Sequence, residues 1–391
     1  GQRFRVDYVY DNDRHTDIAM VTDSYGLVAT TTFDGPTGRI TSRTDPNGQT
    51  TSYTYDAFGR ISTITGPYEQ GTGNATVTFA YFPTASAYSY ATAVHYDAFN
   101  PGDTIDTVTF LDGIGRETQT KQDGTVFTGA QGTPEDVMIV GGAVEYDALG
   151  RPVKEWFPTT EALGTIGTYN TSAEPANNPL QTIWNLRDQP IEVIAPNGNT
   201  VTTAYGFASD SQILGGATLF TTTVTDPLGK PVTSWTDVRD NVLAVDDDPP
   251  TADLVRTRYS YDPLGELTMV IDPAGSITSH SYDMLGRRLT TNTPNAGLLE
   301  QTWDPAGNII AVVDPVLRPL GQHVDYDYEF TRLVAINYPD ATPDVSYTYG
   351  GPGAVNNGAG RVIALSDGAR PNVYLRSTGC YCFRDFNHEG A

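Results

Sequence analysis

The sequence predicts an all-β protein, a continuous antiparallel sheet of hairpin repeats, and three observations predict it. A Tyr-Asp-x-x-Gly-Arg hexad recurs along the chain. Turn signals return every 10 or 11 residues where the repeat is regular. Between turns, Thr, Tyr, Ile and Val alternate in the period-2 pattern of half-buried strands. Composition agrees: Gly, Asp and Asn favour turns, Thr and Tyr favour strands, and only three lysines occur among 391 residues (Lys121, Lys154, Lys230).

The hexad reads Tyr55-Asp56-Ala57-Phe58-Gly59-Arg60, Tyr146-Asp147-Ala148-Leu149-Gly150-Arg151 and Tyr282-Asp283-Met284-Leu285-Gly286-Arg287. Relatives run Tyr261-Asp262-Pro263-Leu264-Gly265 and Trp303-Asp304-Pro305-Ala306-Gly307, and a looser copy spans Leu111–Arg116. Between them lie Asp45-Pro46-Asn47-Gly48, Asp226-Pro227-Leu228-Gly229 and Asp272-Pro273-Ala274-Gly275. A type I turn favours Asp first, Pro second and Gly fourth, so each Asp-x-x-Gly reverses the chain. The pairs Asp56/Gly59, Asp147/Gly150, Asp262/Gly265, Asp283/Gly286 and Asp304/Gly307 are therefore structural turns. The aromatic before each Asp is expected to stack on its counterparts in neighbouring repeats. The Arg after each Gly is expected beside the Asp of its own or an adjacent turn.

Taken in order, residues 1–70 read as repeats, and 71–180 as degenerate repeats carrying inserts. Within the latter, 124–143 and 158–180 are rich in Gly, Pro, Thr and Asn and read as loops that leave the sheet. Residues 181–320 return to repeats, and 321–391 decay into a tail. The whole 1–391 reads as one array, since continuous β pairing makes one long core. No leader is recognisable before Gly1, which suggests a mature product or a fragment.

The formal charge is -24. Such a polyanion is repelled by phosphate backbones and anionic lipid, which argues against nucleic-acid and membrane-surface partners. No apolar run reaches the length of a membrane-spanning helix. The two cysteines, Cys380 and Cys382, exclude a disulfide framework, and with His388 they fall short of a four-ligand zinc site. No histidine sits in a nucleophile-elbow or zinc-protease motif, and an Asp that recurs in every turn is not a unique catalytic carboxylate. A non-enzymatic scaffold is expected. Ca²⁺ is the cation to consider: Asp11, Asp13 and Asp17, and the run Asp246, Asp247 and Asp248, cluster hard oxygens. Solvated acidic turns explain the same residues, and the run Asp246-Asp247-Asp248-Pro249-Pro250 reads as a loop. Asn74 and Asn170 begin glycosylation sequons.

The hexads at 55–60, 146–151 and 282–287 resemble the YD repeats of the RHS family, which includes bacterial Rhs toxins, the B–C components of Tc insecticidal toxins and the teneurin shell. Leu111–Lys121 followed by Val144–Lys154 is similar to the middle section of Tc B components and SpvB-linked proteins. The resemblance implies a spiralling sheet, as a shell segment or β-solenoid. In Rhs and Tc proteins that sheet closes around a C-terminal toxin. The family's autoprotease ends in Asp-Pro-x-Gly, but here 272–275 and 304–307 sit in repeat register, so self-cleavage is not expected. Three functions stay open at this point. One is a secreted or surface scaffold that self-associates into a shell or filament. The others are a toxin-shell segment enclosing an effector, and an adhesive module that binds surface glycans through exposed Tyr and Trp.

Overall fold

The computed structural model describes residues 3–84, 88–100, 102–128, 132–171, 178–247, 255–368 and 373–374. The chain forms long antiparallel sheets joined by hairpin turns, with two single-turn 3₁₀ segments, Leu214–Gly216 and Arg318–Leu320, as its helical elements among those residues. It divides into two compact units, 1–53 with 280–391, and 54–279.

In the first unit, Val6–Tyr10, Ile18–Asp23, Val28–Phe33 and Ile40–Thr44 pair in succession as a meander. A second meander runs from Arg288–Thr293 through Gly297–Trp303, Ile309–Val313, Val324–Glu329, Arg332–Asn337 and Val345–Tyr349 to Val362–Ser366. The two meet through their turns. Tyr25 donates its hydroxyl to the Glu329 carbonyl (2.7 Å), and Phe4, Tyr25 and Phe330 form a three-ring cluster. Asn47 and Ala359 exchange side-chain and backbone bonds.

In the second unit, one run goes from Ile61–Thr65 through Val77–Phe82, Ser89–Tyr96, Thr104–Leu111 and Glu117–Thr128 to Thr133–Gly141. At Gly142 the chain leaves that sheet and starts another at Val144–Tyr146. The short strand Thr159–Glu161 returns to the first run, pairing Met138 with Glu161. Leu180–Trp184 then resumes the second, which continues by hairpins to Leu267–Ile271 and Ile277–Tyr282. The single continuous sheet expected from the repeat is thus interrupted here.

Residues 124–143 are a second correction. They were expected to loop away, yet 124–128 and 133–141 are the arms of a paired hairpin. Its Val137, Met138 and Val140 are buried, and this apolar burial overrides the turn propensity of the Gly and Thr around them. The acidic run is the third. Asp246 and Asp247 end the strand Val242–Asp247 rather than forming a loop.

Candidate functional site: the interlocked repeat edge

Every hexad turn is built alike. In the first, Gly59 donates its amide to the Asp56 carbonyl (2.9 Å), and Asp56 donates to the Arg60 carbonyl (2.9 Å). The Asp56 carboxylate accepts the amides of Phe58 and Arg60 on one oxygen and the Arg60 Nε on the other (2.7 Å). Gly59 sits at φ +83°, which a side chain would resist. The strand register slips by one residue at the aromatic before several of these turns, as at Tyr146 and Trp303, the mark of a bulged hairpin. Asp112, Asp147 and Asp283 each hold their own Arg in the same way. The backbone amides of Arg116 and Arg151 hold Asp112 and Asp147 below the usual carboxylate range, and the Arg287 side chain does so at Asp283.

Six aromatics at or near this position do not stack on one another as expected but reach back to the preceding hairpin. Tyr81 donates to the Ile61 carbonyl, Tyr146 to Glu117, Trp184 to Pro152, Tyr205 to Pro190, Trp303 to Arg288 and Tyr349 to Leu333, at 2.8–3.1 Å. The acceptor is the residue just after the Arg position of the earlier turn. Where that position is Arg, its guanidinium lies over the incoming ring: Arg60 on Tyr81 (4.1 Å), Arg116 on Tyr146 (4.2 Å), Arg332 on Tyr349 (5.2 Å). One side chain thus closes its own turn through Asp and clamps the next repeat through a cation–π contact. We call this arrangement the latch.

Two buried ionic clusters lie outside the repeat rule. Lys121 is fully buried; its ammonium pairs with Glu161 and donates to the carbonyls of Thr165 and Thr168. Gln119 binds the backbone of Asn170 at both its amide and its carbonyl, and Asn170 Nδ2 donates to Glu161 (2.5 Å). The second cluster is Arg256, which donates to both oxygens of Asp246 (2.6 and 2.8 Å) and pairs with Asp210 (2.8 Å). Trp235 Nε1 also donates to Asp246 (2.7 Å). The Asp246 bond raises the Arg256 pKa above its already high value, so the guanidinium stays charged.

Family models match this chain in three places. The model described as RHS Repeat matches residues 33–69 and 261–298. A domain of unknown function (DUF6443) matches residues 84–202. The chain carries RHS/YD repeats over 33–69 and 261–298. Among solved structures, its fold is similar to TcdB2-TccC3, with a TM-score of 0.72 at 18% identity over 93% of this chain and 21% of that one. The Photorhabdus luminescens Tc holotoxin pore matches with a TM-score of 0.71 at 17% identity, over 93% of this chain and 23% of that one. This chain therefore spans less than a quarter of the length of these solved chains. No curated protein matches it.

Of the residues in the calcium expectation, Asp11, Asp17 and Asp246 accept hydrogen bonds within the chain. Asp11 accepts backbone amides from Asp13, Arg14, His15, Thr16 and Asp17, which close its loop. These bonds, the Arg14 amide foremost, lower its pKa. Asp17 accepts the Thr16 hydroxyl. Asp246 is saturated by Arg256 and Trp235, Asp247 pairs with Val255 across strands, and Asp248 lies outside the described residues. Among the described residues, no group of three or more His, Cys, Asp or Glu side chains is placed to hold a metal. Asn74 is exposed in a loop, whereas Asn170 spends its amide nitrogen on Glu161. Cys380, Cys382 and His388 lie outside the described residues. Sequence reading missed the latch and both ionic clusters. An aromatic persisting at Tyr81, Tyr205 and Tyr349, where the following Asp is lost, was the available signal.

Proposed function

We propose that this chain is a length of wall in an extracellular Tc- or Rhs-type toxin shell, a non-enzymatic scaffold that encloses an effector and joins further repeats of the same assembly. The fold shared with TcdB2-TccC3 over 93% of the chain is the observation that carries the reading. The latch supports it, because a closure made between adjacent hairpins extends a sheet without limit and needs no separate core. The turn tips support it as well. Phe58, Ile114, Leu149, Leu264 and Leu285 occupy the third turn position and are exposed, whereas the Phe330 tip is covered by the rings of Phe4 and Tyr25. Exposed apolar tips of this kind suit contact with turns of further repeats. No helix among the described residues is long and apolar enough to cross a membrane.

Electron microscopy of the full-length gene product tests the reading, combined with limited proteolysis. A hollow particle that protects an internal segment from protease is the expected result. Open filaments, or a solid rod with every segment equally cleavable, would overturn it in favour of a self-associating fibre.

A further inference from the structure

One junction in the unit 54–279 lacks its latch. The turn that starts at Asp237 carries Asn241 where Arg60, Arg116 and Arg151 stand in theirs. Asn241 Nδ2 stays at home and donates to Asp237 Oδ2 (3.1 Å). Among the described residues no guanidinium overlies Tyr261, and its hydroxyl makes no hydrogen bond, unlike those of Tyr81, Tyr146 and Tyr205. The following turn carries Glu266 in place of Arg. Asp262 accordingly keeps the amides of Leu264 and Glu266 on Oδ1, while its Oδ2, the oxygen that takes Arg Nε in the hexad turns, accepts nothing. A cavity of about 630 Å³ opens at this place, lined among others by Asp237, Asn241, Leu243, Tyr261 and Asp262.

The substitution alone does not explain the opening. Asn308 occupies the same turn position, but its Nδ2 reaches on to the Phe330 carbonyl (2.8 Å) and bridges the gap. Among the described residues Asn241 reaches nothing across the junction, and Tyr261 and Asp262 both line the space.

We propose that this open junction binds a guanidinium group from another polypeptide, an arginine side chain that takes up in trans the contacts left by the two missing internal arginines. The planar cation would lie on the Tyr261 ring, where an internal Arg at position 241 would reach, and donate to Asp262 Oδ2, which an internal Arg at position 266 would take. Two arginines also face the cavity. Arg239 is held at the turn tip by its bond to the Pro263 carbonyl (2.9 Å), and Arg258 is exposed. Asp237 and Asp262 balance their charge, so selectivity rests on stacking and fork geometry rather than on net potential. The inference stands apart from the shell reading and survives its failure.

Saturation-transfer NMR on the purified chain with N-acetyl-argininamide, its lysine counterpart and free guanidinium ion tests it. Saturable binding of the arginine probe is expected, with the lysine probe weaker by about tenfold because an ammonium lacks the planar face and fork. Free guanidinium binding as well as the arginine probe would show that no polypeptide is required, and would overturn the assignment to a side chain. Asn241→Arg is the decisive variant, since this turn type already accommodates Arg at four other hexads. It should abolish arginine binding while the protein stays folded by thermal melting. Tyr261→Leu should weaken binding with the melt retained. Absence of saturable binding by the wild type, equal binding of both amino-acid probes, or undiminished binding by folded Asn241→Arg would each sink the proposal.

Discussion

The stretch from 108 to 143 and the hairpins from 255 to 313 use the same strand-and-turn grammar, yet they are held by different physics. In the first, Val108, Phe110, Thr118, Gln119, Lys121, Val137, Met138, Val140 and Ala143 are all buried. In the second, Arg256 alone reaches that degree of burial, and the other strand residues are half-buried or exposed. Regular repeats therefore draw their order more from directional bonds in and between turns than from a buried core. The irregular stretch, which keeps the Asp112 turn but loses the motif after it, has a true core. A device that works between neighbours frees the repeat from needing a core, and the insert supplies one where no neighbouring turn lies in register.

If the contrast holds, the largest effect of a single substitution should come from the buried cluster. Lys121→Ala leaves the Glu161 carboxylate and the Thr165 and Thr168 carbonyls without their cation. Stripping one partner from a buried ion pair costs roughly 3–5 kcal/mol. A urea unfolding curve should show the loss, and segment 159–171 should become sensitive to protease. Lys121→Met with Glu161→Leu should recover much of it, because removing both charges leaves no buried ion unpaired. A loss under about 1 kcal/mol for Lys121→Ala would place this pair among ordinary surface bridges and break the contrast.

Latch substitutions should be individually milder. Tyr349→Phe deletes the bond to the Leu333 carbonyl but keeps the ring under Arg332. A net loss of about 1 kcal/mol is expected, typical of one hydrogen bond. Hydrogen exchange at the amides of Arg332–Asn337 and Val345–Tyr349 should accelerate there while the 108–143 core stays protected. Uniform acceleration across the chain would show that the latches and the core unfold as one, and the two regions would no longer be separable.

Local chemistry was legible in the sequence and distant pairing was not. The Asp56 turn could be read because Asp, Gly and Arg act within five residues, and the Arg did fall on its own Asp. The destination of Tyr146 could not, since its acceptor lies 29 residues back, while that of Trp303 lies 15 back. A partner at variable distance defeats any search at fixed period. Lys121 lies in a run of Thr and Gln that reads as a solvated strand face, and only the returning segment 159–171 buries it. Asp246 looked like part of an acidic loop because the Arg that neutralises it stands ten positions later on the next strand. The Tyr261 cavity depends on an Arg being absent at two turns together, which is visible only after the latch is known.

The smallest effects should separate the two regions by sign. Asp147 belongs to a latched turn, and the Arg151 amide holds its carboxyl below the ordinary range. Asp123 lies in the core stretch, and burial, reinforced by Asp103, Asp106 and Asp136, holds its carboxyl above that range. A lowered folded pKa means stability that is complete above the unfolded value near 4 and disappears as the pH falls through the folded value. A raised one means the reverse: the charged form costs stability at neutral pH, and the cost fades as the pH falls through the raised value towards about 4. Asp147→Asn should therefore lower the urea midpoint at pH 7 and flatten its decline in acid. Asp123→Asn should raise the midpoint at pH 7, with the gain shrinking on acidification. Measured between pH 7 and pH 3, the two difference curves should have opposite signs. Curves of the same sign would mean that the carboxylates of the core and of the turns act through overall charge, since relief of a net -24 would stabilise both variants alike.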